Sequence, residues 1–143
     1  MTETITLHEL GPDDLDRLLS VPPGLFDNPV DPDAARAFLA DPGHVMVLAY
    51  DEKTAVAFAT GTVLLHPDKA PSFFVNEVAT SGSHLRRGLA TRCTAALMEI
   101  ARARGCQGIW LATEPDNGPA LGLYRAMGGN EVPVVCFDWD DAL

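Results

Sequence analysis

The chain has 143 residues, 47% of them hydrophobic, and a formal net charge of −10 from twenty acidic against ten basic side chains. A chain of that size buries roughly two-thirds of its unfolded surface, enough for one compact core and a single domain over residues 1–143. The acidity argues against a nucleic-acid binder, which needs a broad basic face, and against docking on anionic lipid; a cationic or amine-bearing partner agrees with it better.

The N-terminal stretch MTETITLHEL has acids where a signal peptide needs basic residues, and residues 4–8 alternate as a short strand. GPDDLDRLLS then supplies turn residues, first-turn acids and apolar spacing suited to a helix. The Pro- and Asp-rich loop VPPGLFDNPVDPD caps a second helix over 33–40, which DPG stops. HVMVLAY reads as a buried strand, DEK as a hairpin turn, and 54–66 as a long strand rich in Val, Ala, Phe and Thr. That uncharged run is too short to cross a bilayer. After the turn PDKAP, the chain returns as the strand SFFVNEVAT.

From Gly88 the apolar residues Leu89, Cys93, Leu97, Ile100 and Ala101 form a helical stripe that ends at RGCQG. GIWLAT reads as a strand, DNGPALGLYRAM as a helix stopped by Gly128-Gly129, and VPVVCFDW as a final strand. Three cysteines, with no C-x-x-C pair, suggest neither a zinc knuckle nor a disulfide framework, and a reducing, cytoplasmic setting is the economical expectation. Cys93 and Cys136 read as small core hydrophobes. His8, His44, His66 and His84 are scattered without metal-ligand spacing, so no metal site is expected.

Chemistry concentrates in EVATSGSHLRRGLAT, a strand, small-residue loop and helix start where Arg86, Arg87 and Arg92 gather around Gly88. Unpaired N–H groups at a helix start carry the positive end of the helix dipole, and Gly88 and Ala90 let a phosphate approach them. A solvated basic helix start with no ligand explains the spacing equally well. The stretch matches neither the Gly-Lys-Ser/Thr phosphate loop nor the G-x-G-x-x-G dinucleotide fingerprint. In the later helix, Ala120, Leu123, Tyr124 and Met127 share one face, with Tyr124 at its edge.

VATSGSHLRRGLAT followed by NGPALGLYRAMGG resembles the acetyl-CoA-binding core of the GCN5-related N-acetyltransferases, over roughly residues 44–138. That resemblance implies an α/β (α+β) fold with a mixed, mostly antiparallel sheet of about six to seven strands flanked by helices. The family's phosphate loop, Q/R-x-x-G-x-G/A, is matched by Arg87, Gly88, Leu89 and Ala90, with Leu85 a departure at its first position. Acetyl-CoA is implied as co-substrate, contacted by Val78, Ala79, Thr80, Leu85, Arg86, Arg87, Gly88, Leu89, Ala90, Thr91 and Asn117. The resemblance further implies Glu77 as base, the backbone N–H near Thr80 as oxyanion donor, and Tyr124 as the acid that protonates the departing thiolate.

EVATSGSHLRRGLAT, PALGLYRAMG and VVCFDWD are similar to segments of the short aminoglycoside 3-N-acetyltransferases, which implies a small cationic amine acceptor met by Glu77 and Asp138. Acetylation of a peptide or amino-acid amine, and a non-catalytic acyl-CoA sensor motivated by Leu85, are the alternatives. A homodimer is the family expectation, although Pro133 interrupts the final strand that would pair across a two-fold.

Overall fold

The computed structural model describes residues 4–143. They fall into a larger unit ending at Ala112 and a smaller one, Thr113–Leu143. The larger unit runs β1 (Ile5–Glu9), α1 (Leu15–Leu19), α2 (Pro32–Ala40), β2 (His44–Asp51), β3 (Thr54–Leu64), β4 (Ser72–Thr80), a short 3-10 turn (Gly82–His84), α3 (Leu89–Ala103) and β5 (Ile109–Trp110). The sheet follows chain order. Three antiparallel pairings join β1 to β4, and a parallel one joins β4 to β5.

β2 explains why the unit has three layers. Every residue from Val45 to Tyr50 is buried, so both faces of the strand need cover. Val45, Val47 and Ala49 pack with Val56, Phe73 and Val75 against Leu89, Cys93, Leu97 and Ala101, the stripe of α3. Met46, Leu48 and Tyr50 pack with Phe58 against Leu18 of α1 and Ala35 and Leu39 of α2. The α2 start is fixed by Pro32 in the first turn and by Asp31, whose carboxylate accepts from the N–H groups of Asp33 and Ala34 at 2.9 and 3.3 Å.

The smaller unit contains one regular element, α4 (Gly118–Ala126). Asn117 caps it, its Oδ1 accepting from the Ala120 N–H at 3.2 Å.

The sheet has five strands among the described residues, against the expected six to seven. GIWLAT pairs over Ile109 and Trp110 alone, since the parallel partnership with β4 ends at Phe74. VPVVCFDW is no strand: Pro133 lacks a ladder donor, and the unit containing it has no other strand to pair with. Val132, Val134, Val135, Phe137 and Trp139 are all exposed. Cys136 is likewise exposed and not a core residue, whereas Cys93 is fully buried and burial pushes its thiol up to about 11.

Gly61 of β3 sits against the ring of Phe73, and a Cβ there would meet that ring and lie 2.8 Å from the Phe74 carbonyl oxygen. Phe73 is itself fully buried, so it has nowhere to move. Gly61→Ala is therefore expected to cost about 1–3 kcal/mol through overpacking. Urea unfolding followed by far-UV circular dichroism measures this, and a loss below about 0.5 kcal/mol would contradict the close fit.

Candidate active site

Glu77 owes its placement to an irregularity in β4. Along β3, Thr60 pairs with Glu77 but the next residue, Gly61, pairs with Val75, so Asn76 is an extra residue with no partner. An extra residue reverses the alternation of everything beyond it. Phe73 and Val75 enter the core on the α3 side, and after the bulge so does Val78, while Ala79 packs on the α1/α2 side. Glu77 shares that second side. The bulge is held by Thr60, one of two buried polar residues among those described, whose Oγ1 accepts from the Glu77 N–H at 3.2 Å.

A cavity of about 370 Å3 opens on this side, within the size range of small-molecule sites. Asn76, Glu77 and Thr60 form one wall. The loop Phe26–Asp31 with Ala34, Ala35 and Phe38 forms the opposite one, and Leu18 and Met46 complete the lining. Three carboxylates, from Asp27, Asp31 and Glu77, thus meet an apolar surface built from Phe26, Val30, Phe38 and Met46. Sequence reading assigned no site residue to the segment FDNPVDPDAARAF (26–38), so Asp27 and Asp31 were missed as lining residues. Their only signal was the run of acids in FDNPVDPD.

A second opening of about 440 Å3 lies among His8, Asp16, Arg17, Ser20, Tyr50, Glu52 and Lys53. It mixes charges of both signs and includes none of the motif residues.

Beyond Phe74, β4 has no strand partner on its β5 side among the described residues. Val78, Ala79 and Thr80 pair with β3 through Ala59, Phe58 and Ala57, and the Ser81 N–H closes the ladder on the Val56 carbonyl at 2.7 Å. The chain then turns toward α3. Leu85 is 58% exposed, so its side chain is free of the core, and Arg86, Arg87 and Thr91 are also exposed. Gly88 is the N-cap of α3 at φ 74, with no side-chain cap hydrogen bond. A Cβ on Gly88 would meet nothing within 4 Å, so the approach to the first-turn amides of Leu89, Ala90 and Thr91 is open. In α2 and α4 a side chain occupies the equivalent place. The start of α3 therefore suits a phosphate in both charge and access.

In the smaller unit, Tyr124 lies on α4 and is half-buried, and burial pushes its phenol above the ordinary value of 10.0. Asp138 is exposed in the segment after that helix. Among the described residues, no group of His, Cys, Asp and Glu could hold a metal ion, and no helix is long and apolar enough to cross a membrane.

The sheet thus parts beyond a short parallel pairing, and a bulged strand leads into a glycine-started helix with no side-chain cap, an arrangement open to an anionic ligand. The chain belongs to the Acetyltransferase (GNAT) family, whose model matches residues 13–128. It is thus an N-acetyltransferase that takes acetyl-CoA as co-substrate. No curated protein sequence matches it.

Its fold is similar to that of several solved structures. One is an aminoglycoside acetyltransferase, meta-AAC0020, from an uncultured soil metagenomic sample, with TM-score 0.84, 18% identity and 95% of each chain covered. A second is the aminoglycoside acetyltransferase HMB0005, also from an uncultured soil metagenomic sample, with TM-score 0.82 and 22% identity over 99% of this chain and all of the other. A third is the ribosomal-protein-alanine N-acetyltransferase of Brucella melitensis biovar Abortus 2308, at TM-score 0.70 and 17% identity, covering 93% of this chain and 99% of that one.

Thr60→Val removes the acceptor of the Glu77 N–H while keeping side-chain volume. It is expected to cost about 1–3 kcal/mol of folding stability, the usual penalty for stranding a part-buried donor. Chemical denaturation reads this directly, and an unchanged midpoint would mean that Thr60 does not hold the bulge.

Proposed function

We propose that the chain transfers the acetyl group of acetyl-CoA directly to the primary amine of a small cationic acceptor, aminoglycoside- or polyamine-like. The observation that carries this reading is the cavity in which Glu77 shares a lining with Asp27 and Asp31. Three carboxylates attract ammonium groups, and the apolar wall suits the ring or methylene body of such a molecule. An acceptor of this kind also agrees with the overall charge of −10.

In this reading the phosphates of acetyl-CoA lie at the start of α3, with Leu85–Thr91 around them and the acetyl end along Val78, Ala79 and Thr80. Asn117 would contribute a further contact from its side-chain NH2, since its oxygen serves the α4 cap. A protonated amine cannot attack a thioester. Glu77 takes the proton, directly or through a water, and the freed nitrogen bonds to the acetyl carbon. The backbone N–H near Thr80 donates to the oxyanion that forms. Collapse of that intermediate breaks the C–S bond; Tyr124 gives its proton to the departing sulfur, and the second proton that the nitrogen sheds in becoming an amide restores the phenol. A phenol pushed above its ordinary value remains protonated at neutral pH, as this role requires. Asp138 would add charge toward the acceptor.

Peptide acetylation is the competing reading, because a ribosomal-protein-alanine N-acetyltransferase shares the fold. The acid-lined cavity favours the small amine. Thiol release from acetyl-CoA, followed across aminoglycosides, polyamines, amino acids and short peptides, decides between them. Release confined to the first two groups is expected; release with peptides alone would overturn the proposal.

With the accepted amine in hand, Glu77→Gln is expected to lower kcat/KM by about 100-fold or more near neutral pH. An unchanged rate removes Glu77 as base. Asp27→Asn is expected to raise the acceptor KM with kcat retained, the pattern of lost ground-state attraction.

Tyr124→Phe is expected to slow turnover at least about tenfold. In the unmodified chain the Tyr124 contribution should persist through the ordinary phenol range and decline only above it, because burial raises its pKa. A phenylalanine variant with full turnover across that range would exclude the phenol as acid.

A further inference from the structure

The loop ahead of α3 has an uncommon backbone. Arg86 has φ 61 and Gly88 φ 74, so two left-handed residues flank Arg87. A non-glycine residue in that region persists only where its surroundings over-determine it. Downstream, Leu89 provides one anchor, being 2% exposed within the α3-side core. The upstream anchor is His84.

The Nε2 of His84 donates to Asp51 Oδ2 at 2.7 Å, and its Nδ1 lies 2.7 Å from Ser83 Oγ. Asp51 is itself firmly placed. It closes β2 at the hairpin, pairs with Ile5 on β1 and Thr54 on β3, and accepts a hydrogen bond from Thr4 Oγ1. The Thr4 and His84 hydrogen bonds hold its carboxyl below the ordinary range, with Arg87 contributing. Arg87 Nη1 lies 3.9 Å from the same Oδ2. Side chains of surface pairs such as Arg36 and Asp33 are 62% and 95% exposed, against 16% and 27% for His84 and Asp51. The His84–Asp51 contact is therefore screened less by solvent and salt.

We infer that Asp51 and His84 form a positioning pair for acetyl-CoA, tethering to the β2–β3 hairpin the loop whose backbone amides meet the co-substrate's phosphates. The inference rests on the acetyl-CoA reading of residues 85–90. The pair acts through the loop and not on the reacting atoms. Releasing it leaves every phosphate-binding amide in the chain but lowers the fraction of molecules in which those amides converge, and apparent affinity falls by that fraction. Loss of His84 has a second effect. With Thr4 alone bonded to it, the Asp51 carboxylate then turns more strongly to Arg87, which is drawn away from the phosphates. Removing the carboxylate as well relieves that competition.

The test is calorimetric titration of CoA into the unmodified chain, His84→Ala, His84→Gln, Asp51→Asn and the His84→Ala/Asp51→Asn double variant, with melting temperatures measured alongside. His84→Ala is expected to raise the Kd for CoA and the KM for acetyl-CoA about tenfold, with kcat and acceptor KM within about twofold. His84→Gln keeps an N–H that reaches Asp51 and should regain most of the affinity. The double variant should bind no worse than His84→Ala alone, because coupled residues do not lose energy additively.

Unaltered CoA binding by His84→Ala overturns the inference. So does a glutamine variant no better than alanine, or a double variant whose loss is the product of the two single losses. If His84→Ala does not fold, a folded Asp51→Asn with unaltered CoA affinity overturns it equally. Titration with CoA needs no acceptor, so a failure of the acceptor assignment leaves this measurement intact, whereas an unmodified chain that binds no CoA removes both readings.

Discussion

Asn76 is one residue more than β4 needs to match β3, and much of the candidate site depends on that mismatch. Without it, Glu77 would follow Phe73 and Val75 into the closely packed layer under α3, where a carboxylate has no water and no partner. With it, the carboxylate joins the cavity beneath the loop 26–31. The local arrangement makes the irregularity tolerable. Gly61 opposite the bulge leaves room for the ring of Phe73, and Thr60 supplies an acceptor for the N–H that the broken ladder strands. Asn76, Gly61 and Thr60, neighbouring residues on two strands, thus form one device.

The two ends of the proposed reaction use different physical means. Acetyl-CoA is expected where backbone groups dominate, at a helix start with no side-chain cap and an αL glycine. The acceptor is expected where side-chain charge dominates, among Asp27, Asp31 and Glu77. In that reading Asp31 links acceptor recognition to stability, since this cavity-lining residue also caps α2 with its carboxylate. That double duty makes it a poor target for altering specificity. Asp27 carries no such structural task among the hydrogen bonds and ion pairs of the described residues.

Strong periodicity was legible in the sequence. The stripe Leu89, Cys93, Leu97, Ala101 and the stop at RGCQG place α3 within a residue of its observed bounds, and β2, β3 and β4 match their apolar runs. Pairing was less legible than propensity. VPVVCFDW has the composition of a strand, but a strand exists only beside another, and composition does not report neighbours. The bulge did leave a trace, because the alternation Phe73, Val75 breaks at the consecutive polar residues Asn76 and Glu77 before resuming at Val78. The role of His84 left none: its partner Asp51 lies 33 positions earlier, in a hairpin tip that reads only as an acidic turn.

The two tryptophans have a spectroscopic consequence. Trp110 packs at a tilt against Phe74 with ring centroids 4.5 Å apart, yet it is 52% exposed, and Trp139 is 74% exposed. Neither indole sits in a dry environment, so the native chain should emit at wavelengths close to those of the unfolded one, and emission maximum is a poor gauge of global folding. Their distribution is useful in another way. One indole belongs to the larger unit and the other to the smaller, so two single-tryptophan chains would give each unit its own optical signal, free of the other's background.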